Sequence, residues 1–306
     1  MSRDARQDEI IGINWGSSNF RAYRIAADGG LIDEYSAPAG IATLDRGGMA
    51  EMMQKVAARL PTDIPVYASG MIGSTIGWVE VPYAEAPAGR GELSQSVTRA
   101  HIGGVDVWIV PGIACRRAFD GAPDVLRGEE IELLGSIGLG HGDGLAALPG
   151  THTKWVRLDR GRVVDFFTAM SGEIFDRLTA QGLLASIIDG EATDGATFRD
   201  GVAAGQERKL GLSTLLFGAR ARVIRGALRR PDASSYIRGL LIGSEIADAL
   251  AAYPDLARAN IPLIGSGTPS RLYAAALAAN GIGSRIIDSR EACLRGFRAL
   301  HDASQR

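Results

Sequence analysis

The stretch IIGINWGSSNFRAYRI, residues 10–25, decides the fold. An apolar run enters Gly16-Ser17-Ser18-Asn19, and a second run of alternating apolar residues leaves it. Small residues accept a tight backbone and branched or aromatic residues favour extended chain, so the pattern is a β-hairpin with a hydroxyl-rich turn. Turn amides and hydroxyls can hold an anion. The hairpin therefore reads either as an ordinary turn or as part of a nucleotide site, and only later segments decide. Two further turns follow apolar strands in the same way: Gly150-Thr151-His152-Thr153 and Gly265-Ser266-Gly267-Thr268. The last is a strand, a glycine-rich turn and then a helix, which aims helix amides at an anion or a nucleotide sugar. It lacks the Lys-Ser/Thr of a P-loop and the full dinucleotide glycine pattern. Three such turns in one chain say more than any one alone.

Outward from the hairpin, extended runs at 20–26 and 31–36 are joined by Asp28-Gly29-Gly30, which predicts an antiparallel meander. Met49, Met52, Met53, Val56 and Leu60 recur at helical spacing over 48–60, and the methionines read as core. A short strand at 66–68 runs into Ser69-Gly70-Met71, residues 74–104 are rich in loops, and a strand at 107–110 follows. Asp120-Gly121-Ala122-Pro123-Asp124 reads as a polar linker between domains. Beyond it a helix at 129–139 precedes a second strand–turn–strand–turn–strand series, at 145–148, 154–158 and 162–167. Helices then dominate at 172–182, 198–208, 214–229 and 234–253. They are followed by a strand at 261–264, a helix at 270–279, a strand at 285–287 and a helix at 291–301. Two halves that each open on a hairpin meander predict a duplicated α/β architecture, split as 1–126 and 127–306, with ligand in the cleft between them.

Composition narrows the function classes. A 306-residue chain with 46% hydrophobic and 22% charged residues can bury two cores. A formal net charge of −2 gives no attraction to nucleic acid or an acidic membrane. The four His are scattered, and Cys115 and Cys293 sit in no metal-spaced pair and read as inert thiols. No run approaches the roughly 20 apolar residues of a membrane span. The polar leader MSRDARQDE has no signal-peptide core and is expected to fray, and the two distant cysteines make a reduced cytoplasm the expectation.

Seven segments in order carry a resemblance: IGINWGSSNFRAYRI, ASGMIGSTIGW, LRGEEIELLG, LPGTHTKWV, AMSGE, RGLLIGSEIADA and LIGSGTPSRLYAAAL. Together they resemble the 2-dehydro-3-deoxygalactonokinases, bacterial sugar-acid kinases of the actin-like, hexokinase-type ATPase superfamily, over about residues 10–300. The resemblance implies two RNase H-like domains, with an interdomain active-site cleft, closing on ATP and a sugar acid. It implies transfer of the γ-phosphate to the C6 hydroxyl of 2-dehydro-3-deoxy-D-galactonate with Mg²⁺, giving the 6-phosphate and ADP in galactonate catabolism.

On that footing Gly16, Ser17, Ser18 and Asn19 form the phosphate hairpin, Gly150 and Thr151 its counterpart, and Gly265, Gly267 and Thr268 the adenosine motif. Arg21, two residues beyond Asn19 on one strand face, reads as a phosphate contact or a solvated strand residue. Lys154 reads as a phosphate contact or a solvated hairpin residue. The Gly-Glu-Glu of 128–130 stands where related sugar kinases carry Gly-Asp. Glu129 is the expected base, with Glu130 second, because deprotonating an attacking alcohol needs a carboxylate in reach; both could instead simply face the helix dipole. Arg127 beside them suits a substrate carboxylate, or a salt bridge to Glu130. Ser69, Gly70, Met71, Gly73 and Trp78 lie where such kinases present a loop to the sugar, and Trp78 equally suits a core. His152 reads as a buried structural hydrogen-bonder. Relatives place Asp where this chain has Asn14, a neutral residue at the expected Mg²⁺ position, so Glu129 is a second metal candidate.

That substitution keeps two other readings in view. One is a catalytically weakened sensor of a sugar acid or nucleotide. The other is a kinase of the same superfamily for another sugar acid, such as 2-dehydro-3-deoxy-gluconate, or for an amino sugar. The alanine-rich last helices leave a homo-oligomer open.

Overall fold

The hairpin forms where the sequence places it. In the computed structural model, which describes residues 8–305, β1 (Ile10–Trp15) pairs antiparallel with β2 (Phe20–Ile25), and β3 (Leu31–Ala37) continues the meander. Of the leader expected to fray, residues 1–7 lie outside the described residues. Helix α1 (Arg46–Arg59) starts at Asp45, whose side chain accepts the Gly48 amide, and buries Met49, Met52, Met53 and Val56 against Ile11, Ile13 and Trp15. Alternation in β1 thus sends the odd-numbered residues to α1 and leaves Gly12 and Asn14 on the other face. Strand β4 (Val66–Gly70) runs parallel beside β1.

Residues 74–104, expected as loop, carry β5 (Ala84–Glu85), the six-residue helix α2 (Arg90–Gln95) and β6 (Thr98–Ile102), which pairs with β7 (Val105–Ile109). Residues 120–124, expected as an interdomain linker, lie in and beside the turn of a hairpin. Strand β8 (Ile113–Arg116) pairs with β9 (Pro123–Leu126), and the Arg117 amide donates to the Ala122 carbonyl at the turn. Polar turn chemistry looks the same in a hairpin and in a linker, which is why the segment misled.

Helix α3 (Glu129–Gly138) precedes β10 (Gly144–Leu148), β11 (Thr153–Asp159) and β12 (Arg162–Ala169). Four helices follow, α4 (Ser171–Ala180), α5 (Ala196–Gln206), α6 (Leu212–Ile224) and α7 (Arg230–Ala252). The described chain closes with β13 (Asn260–Ile264), α8 (Gly267–Ala279), β14 (Gly283–Ile287) and α9 (Ser289–Ser304). Two sheets repeat one strand order, β3-β2-β1-β4-β7-β6 and β12-β11-β10-β13-β14: a meander whose first strand sits beside the next core strand.

Packing divides the chain into two units that are each discontinuous in sequence. The first gathers residues up to Asp143, Arg157–Phe166 and residues from Asp288 onward; the second holds Gly144–Val156 and Phe167–Ile287. Helix α3, placed by the 126/127 boundary in the second half, belongs to the first unit, as does α9. The cause is a glycine seam. Gly135 of α3 lies against the Ala292 backbone and Gly296 of α9 against the Ile131 backbone, with no room for a Cβ at either place. Gly12 of β1 likewise admits the Phe297 ring of α9. In the second unit α5 and α7 meet through Gly201, Gly205, Gly239 and Gly243, each against a backbone atom of the other helix.

Candidate functional site

In the first unit the candidate residues gather at the ends of β1 and β4. Gly16 donates its amide to the Asn19 carbonyl (2.9 Å), and the Gly16 and Ser17 carbonyls accept from the Ile41 and Ala42 amides (3.0 and 3.1 Å). The backbone of the turn is thereby held from behind, and Ser17, Ser18 and Asn19 are left exposed. Asn14 pairs across the sheet with Arg21 on one side and stands level with Ser69 on the other. Arg21, Asn14 and Ser69 therefore form a polar row across three adjacent strands on one face. Arg21 is exposed and Ser69 fully buried.

Carboxylates of α3 adjoin this row. Glu130 is buried, and its two oxygens accept from Ser69 Oγ (2.6 Å) and the Gly128 amide (2.5 Å). Burial pushes its carboxyl up to about 7. Gly128 takes a positive φ of 108° and packs against the Gly70 backbone, a conformation and an approach that glycine permits. Glu129 is half-buried, and its Oε2 accepts the Arg127 amide (3.0 Å). Glu132, which the sequence reading passed over, accepts from Ser289 Oγ and from Cys293 Sγ (3.7 Å), and burial pushes it up to about 7. The same Cys293 sulfur receives Asn14 Nδ2 (3.6 Å), so the thiol read as inert is a buried bridge between Asn14 and Glu132.

Arg127 does not bridge to Glu130. Its Nη2 donates to the Val81 carbonyl (2.8 Å), and its guanidinium lies 4.2 Å from the Tyr83 ring centre. Its Nε and Nη1 are buried with no hydrogen-bond partner among the described residues. Gly73 makes room, because a Cβ there would stand 2.8 Å from Nη1. Met71 is half-buried in the short turn after β4, and Ser74 Oγ donates to its carbonyl (2.7 Å). Trp78 is half-buried against the first core, with the Arg46 guanidinium 5.1 Å from its ring centre.

In the second unit two of the three turns meet at one cavity of about 600 Å³. Gly150 and Thr151 line one part, Thr268 and Pro269 another, and Asp176 and Arg238 bring charge. Arg238 lies 3.5 Å from the Phe175 ring centre and donates to Asp176 (3.2 Å). Gly265 and Gly267 do not line the cavity but shape its turn. Gly265 donates to the Ile287 carbonyl (2.9 Å), a Cβ on it would meet Ser270 Oγ at 2.7 Å, and Gly267 takes a φ of +70°. Lys154 is buried, and its Nζ donates to Thr168 Oγ1 (2.9 Å). His152 is exposed rather than buried: it follows the exposed Thr151 at the tip of the turn and pairs with Glu173 (2.6 Å), which holds the Glu173 carboxyl below its usual range. Asp176, Arg238 and the buried Glu245 were missed because helical residues 20 or more positions from the nearest turn carry no local signal; only the segments AMSGE and RGLLIGSEIADA pointed near them.

Among the described residues no helix is long and apolar enough to cross a membrane. A family profile for 2-keto-3-deoxy-galactonokinase matches residues 14–300. The chain is 36% identical over 293 residues to a "Probable 2-dehydro-3-deoxygalactonokinase DgoK1" of Rhizobium meliloti, covering 94% of each chain. It is 33% identical over 241 residues to the 2-dehydro-3-deoxygalactonokinase of Escherichia coli, covering 78% of this chain and 79% of that one. A crystal structure of a candidate 2-dehydro-3-deoxygalactonokinase protein from Sinorhizobium meliloti superposes with a TM-score of 0.86 at 35% identity, over 97% of this chain and 98% of that one. The (R)-2-hydroxyglutaryl-CoA dehydratase component A of Acidaminococcus fermentans shares the fold alone, with a TM-score of 0.52 at 10% identity over 97% of this chain and 99% of that one. The repeated strand order and these likenesses agree on α/β units of the duplicated RNase H-like, actin-like ATPase class. The chain belongs to the 2-keto-3-deoxy-galactonokinase family of sugar-acid phosphotransferases.

Proposed function

We propose that the chain transfers the γ-phosphoryl group of ATP to the C6 hydroxyl of 2-dehydro-3-deoxy-D-galactonate, releasing ADP and the 6-phosphate in galactonate catabolism. The observation that carries the nucleotide half is the cavity of about 600 Å³ shared by the Gly150–Thr151 and Thr268 turns, a volume in the usual range of roughly 300–1,000 Å³ for small-molecule sites. Thr151 takes phosphate oxygens from a turn that Gly150 shapes, and Thr268 meets the adenosine from a turn that Gly265 and Gly267 shape. Lys154, tied to Thr168, supplies positive charge from beneath the turn. In the first unit Gly16 closes the turn onto Asn19, and Ser17, Ser18, Asn19 and Arg21 present donors to phosphate.

Glu129 is the base: it takes the C6 hydroxyl proton onto a carboxylate oxygen as the oxygen attacks phosphorus in line. Glu130, with both oxygens already engaged, holds Ser69 and the Gly128 turn in place. Arg127 offers its unpartnered guanidinium edge to the sugar-acid carboxylate, with Ser69, Gly70, Met71 and Trp78 around the sugar. The donor set suits a Mg²⁺ that arrives on the nucleotide. No group of three His, Cys, Asp or Glu among the described residues could hold an ion alone, while one carboxylate (Glu129) and one amide oxygen (Asn14) match the few protein ligands Mg²⁺ usually takes beside phosphates. When bound, the ion offsets phosphate charge.

The test is ADP release and product analysis with ATP against a panel of sugar acids and neutral sugars. A C6-phosphorylated product from 2-dehydro-3-deoxy-D-galactonate, with the 2-dehydro-3-deoxy-gluconate epimer slower, is the expected result. Ligand binding without ADP release would replace the reading with a sensor.

A further inference from the structure

We infer that Glu245 is a positioning residue for the nucleotide site, acting on the Gly150–Thr153 turn through Tyr273 and Thr153. This rests on the nucleotide reading of the second unit's cavity. Glu245 lies on α7 and is 3% exposed. Trp155 of β11 donates its indole N–H to Oε1 (2.7 Å), while Ser171 Oγ of α4 and the Tyr273 hydroxyl of α8 (2.8 Å) donate to Oε2. One carboxylate thus gathers three elements onto α7, directly beneath a cavity that Tyr273 also lines.

The direction of each hydrogen follows from the acceptor at the end of the chain. In its ionised form, which prevails above about pH 7, Glu245 has none to give, so the hydroxyl hydrogen of Tyr273 goes to it and that of Ser171 does the same. The Tyr273 oxygen is then left to accept, and Thr153 Oγ1 lies 2.8 Å away. With its own hydrogen turned to Tyr273, Thr153 presents lone pairs to the Gly150 amide at 3.4 Å. The order runs Gly150 to Thr153 to Tyr273 to Glu245, one donor at each step. At the same turn the Thr151 carbonyl accepts the Glu173 amide (2.9 Å), and Gly172 of α4 packs on the Gly150 and Thr151 backbone with no space for a Cβ. The Gly150 amide is therefore drawn inward, the Thr151 carbonyl is drawn toward α4, and exposed Thr151 is what the turn offers to a ligand. A buried carboxylate is an expensive way to fasten helices that apolar residues would fasten as well. Here it sets the polarity of a chain that ends in a ligand-facing turn.

The test compares Glu245→Gln, Tyr273→Phe, Thr153→Val and Thr153→Ser in the full chain, reading ATP affinity by calorimetry, KM for each substrate, kcat and the emission of the tryptophans. Gln keeps the shape but carries a single acceptor oxygen and an NH₂ group, so it cannot receive all three donors. Glu245→Gln, Tyr273→Phe and Thr153→Val are each expected to weaken ATP binding about tenfold, the effect of one lost charge-assisted or buried bond. KM for the sugar acid should stay unchanged. Thr153→Ser, which keeps the hydroxyl, should bind ATP within about twofold of the parent, and Glu245→Gln with Tyr273→Phe should be no worse than either alone because both cut one chain. Tryptophan emission should shift in Glu245→Gln, where the Trp155 indole loses its charged acceptor, and stay put in Thr153→Val. ATP affinity unmoved in the folded variants, or sugar-acid KM rising in step with that for ATP, would overturn the relay while leaving the nucleotide reading intact. A parent protein that binds no nucleotide would overturn both. Should Glu245→Gln fail to fold, the Thr153 pair decides, since Val and Ser bracket the same volume.

Discussion

Asn14 is where this chain departs from the pattern its resemblance implies. Its amide nitrogen is spent on Cys293, whose thiol also meets Glu132, so the neutral side chain is held in the polar row beside Arg21 and Ser69. Under the proposed mechanism Asn14→Asp adds the charge a hard cation prefers. Turnover at limiting Mg²⁺ is expected to rise and the Mg²⁺ concentration for half-maximal rate to fall; a flat response would show that the position does not face the metal. Arg127 makes a complementary case. With two buried nitrogens unpartnered, Arg127→Met should leave folding intact and raise KM for the sugar acid by about 10- to 100-fold, the usual cost of a lost charge-assisted bond, with KM for ATP unchanged. Equal loss for both substrates would instead mark Arg127 as structural. At this scale the sequence was informative about backbone turns, whose glycines and hydroxyls are contiguous. It was silent on Glu132, on Glu245 and on what Cys293 touches, because a partner 157 residues away along the chain, as Ser289 is from Glu132, leaves no trace in local spacing.

Elements were legible in proportion to their periodicity. The hairpin, α1 and the strands β10, β13 and β14 follow two- or 3.6-residue patterns. Strands β5, β8 and β9, of two to four residues, are too short to show one, and the six-residue α2 has fewer than two turns. Helix pairing was also unreadable, since glycines that look like breakers are seams. At α5–α7 the backbones touch through Gly201, Gly205, Gly239 and Gly243, so Gly243→Ala must push the helices apart or strain one of them. A loss of about 1–3 kcal/mol is expected from such overpacking. A denaturant titration would read it as a lower midpoint at unchanged slope, and Gly218→Ala, with open space around its Cβ position, should leave the midpoint where it was or raise it. Gly243→Ala at parental stability would mean that the helices do not meet there.

Across the whole molecule three carboxyls, Glu130, Glu132 and Glu245, are each pushed up to about 7 by burial. Unfolded, they titrate near 4.3. Between those values the folded chain binds more protons than the unfolded one, so the stability they contribute is full below about pH 4.3 and is lost as pH rises to about 7. His301, whose burial lowers its pKa, works the other way in the same window, but it is one group against three. Carboxyls held below their usual range, such as Glu92 and Glu173, act only at still lower pH. The melting temperature is therefore expected to fall from pH 5 to pH 7 and to level off above it, with Glu132→Gln flattening the slope; a rise over that interval would contradict the assignment.

The return of α9 to the first unit has a consequence in time. During synthesis the groove beside Gly12 and Gly135 is complete before the second unit is made, yet Phe297 and Gly296, which fill it, emerge only afterwards. At about 5–20 residues per second, the first unit waits on the order of 10 s with one face of its sheet unroofed. The chain thus begins its first core and finishes it last, and a nascent protein stalled before Ser289 would expose its earliest strands to proteases and chaperones however well its second unit had folded.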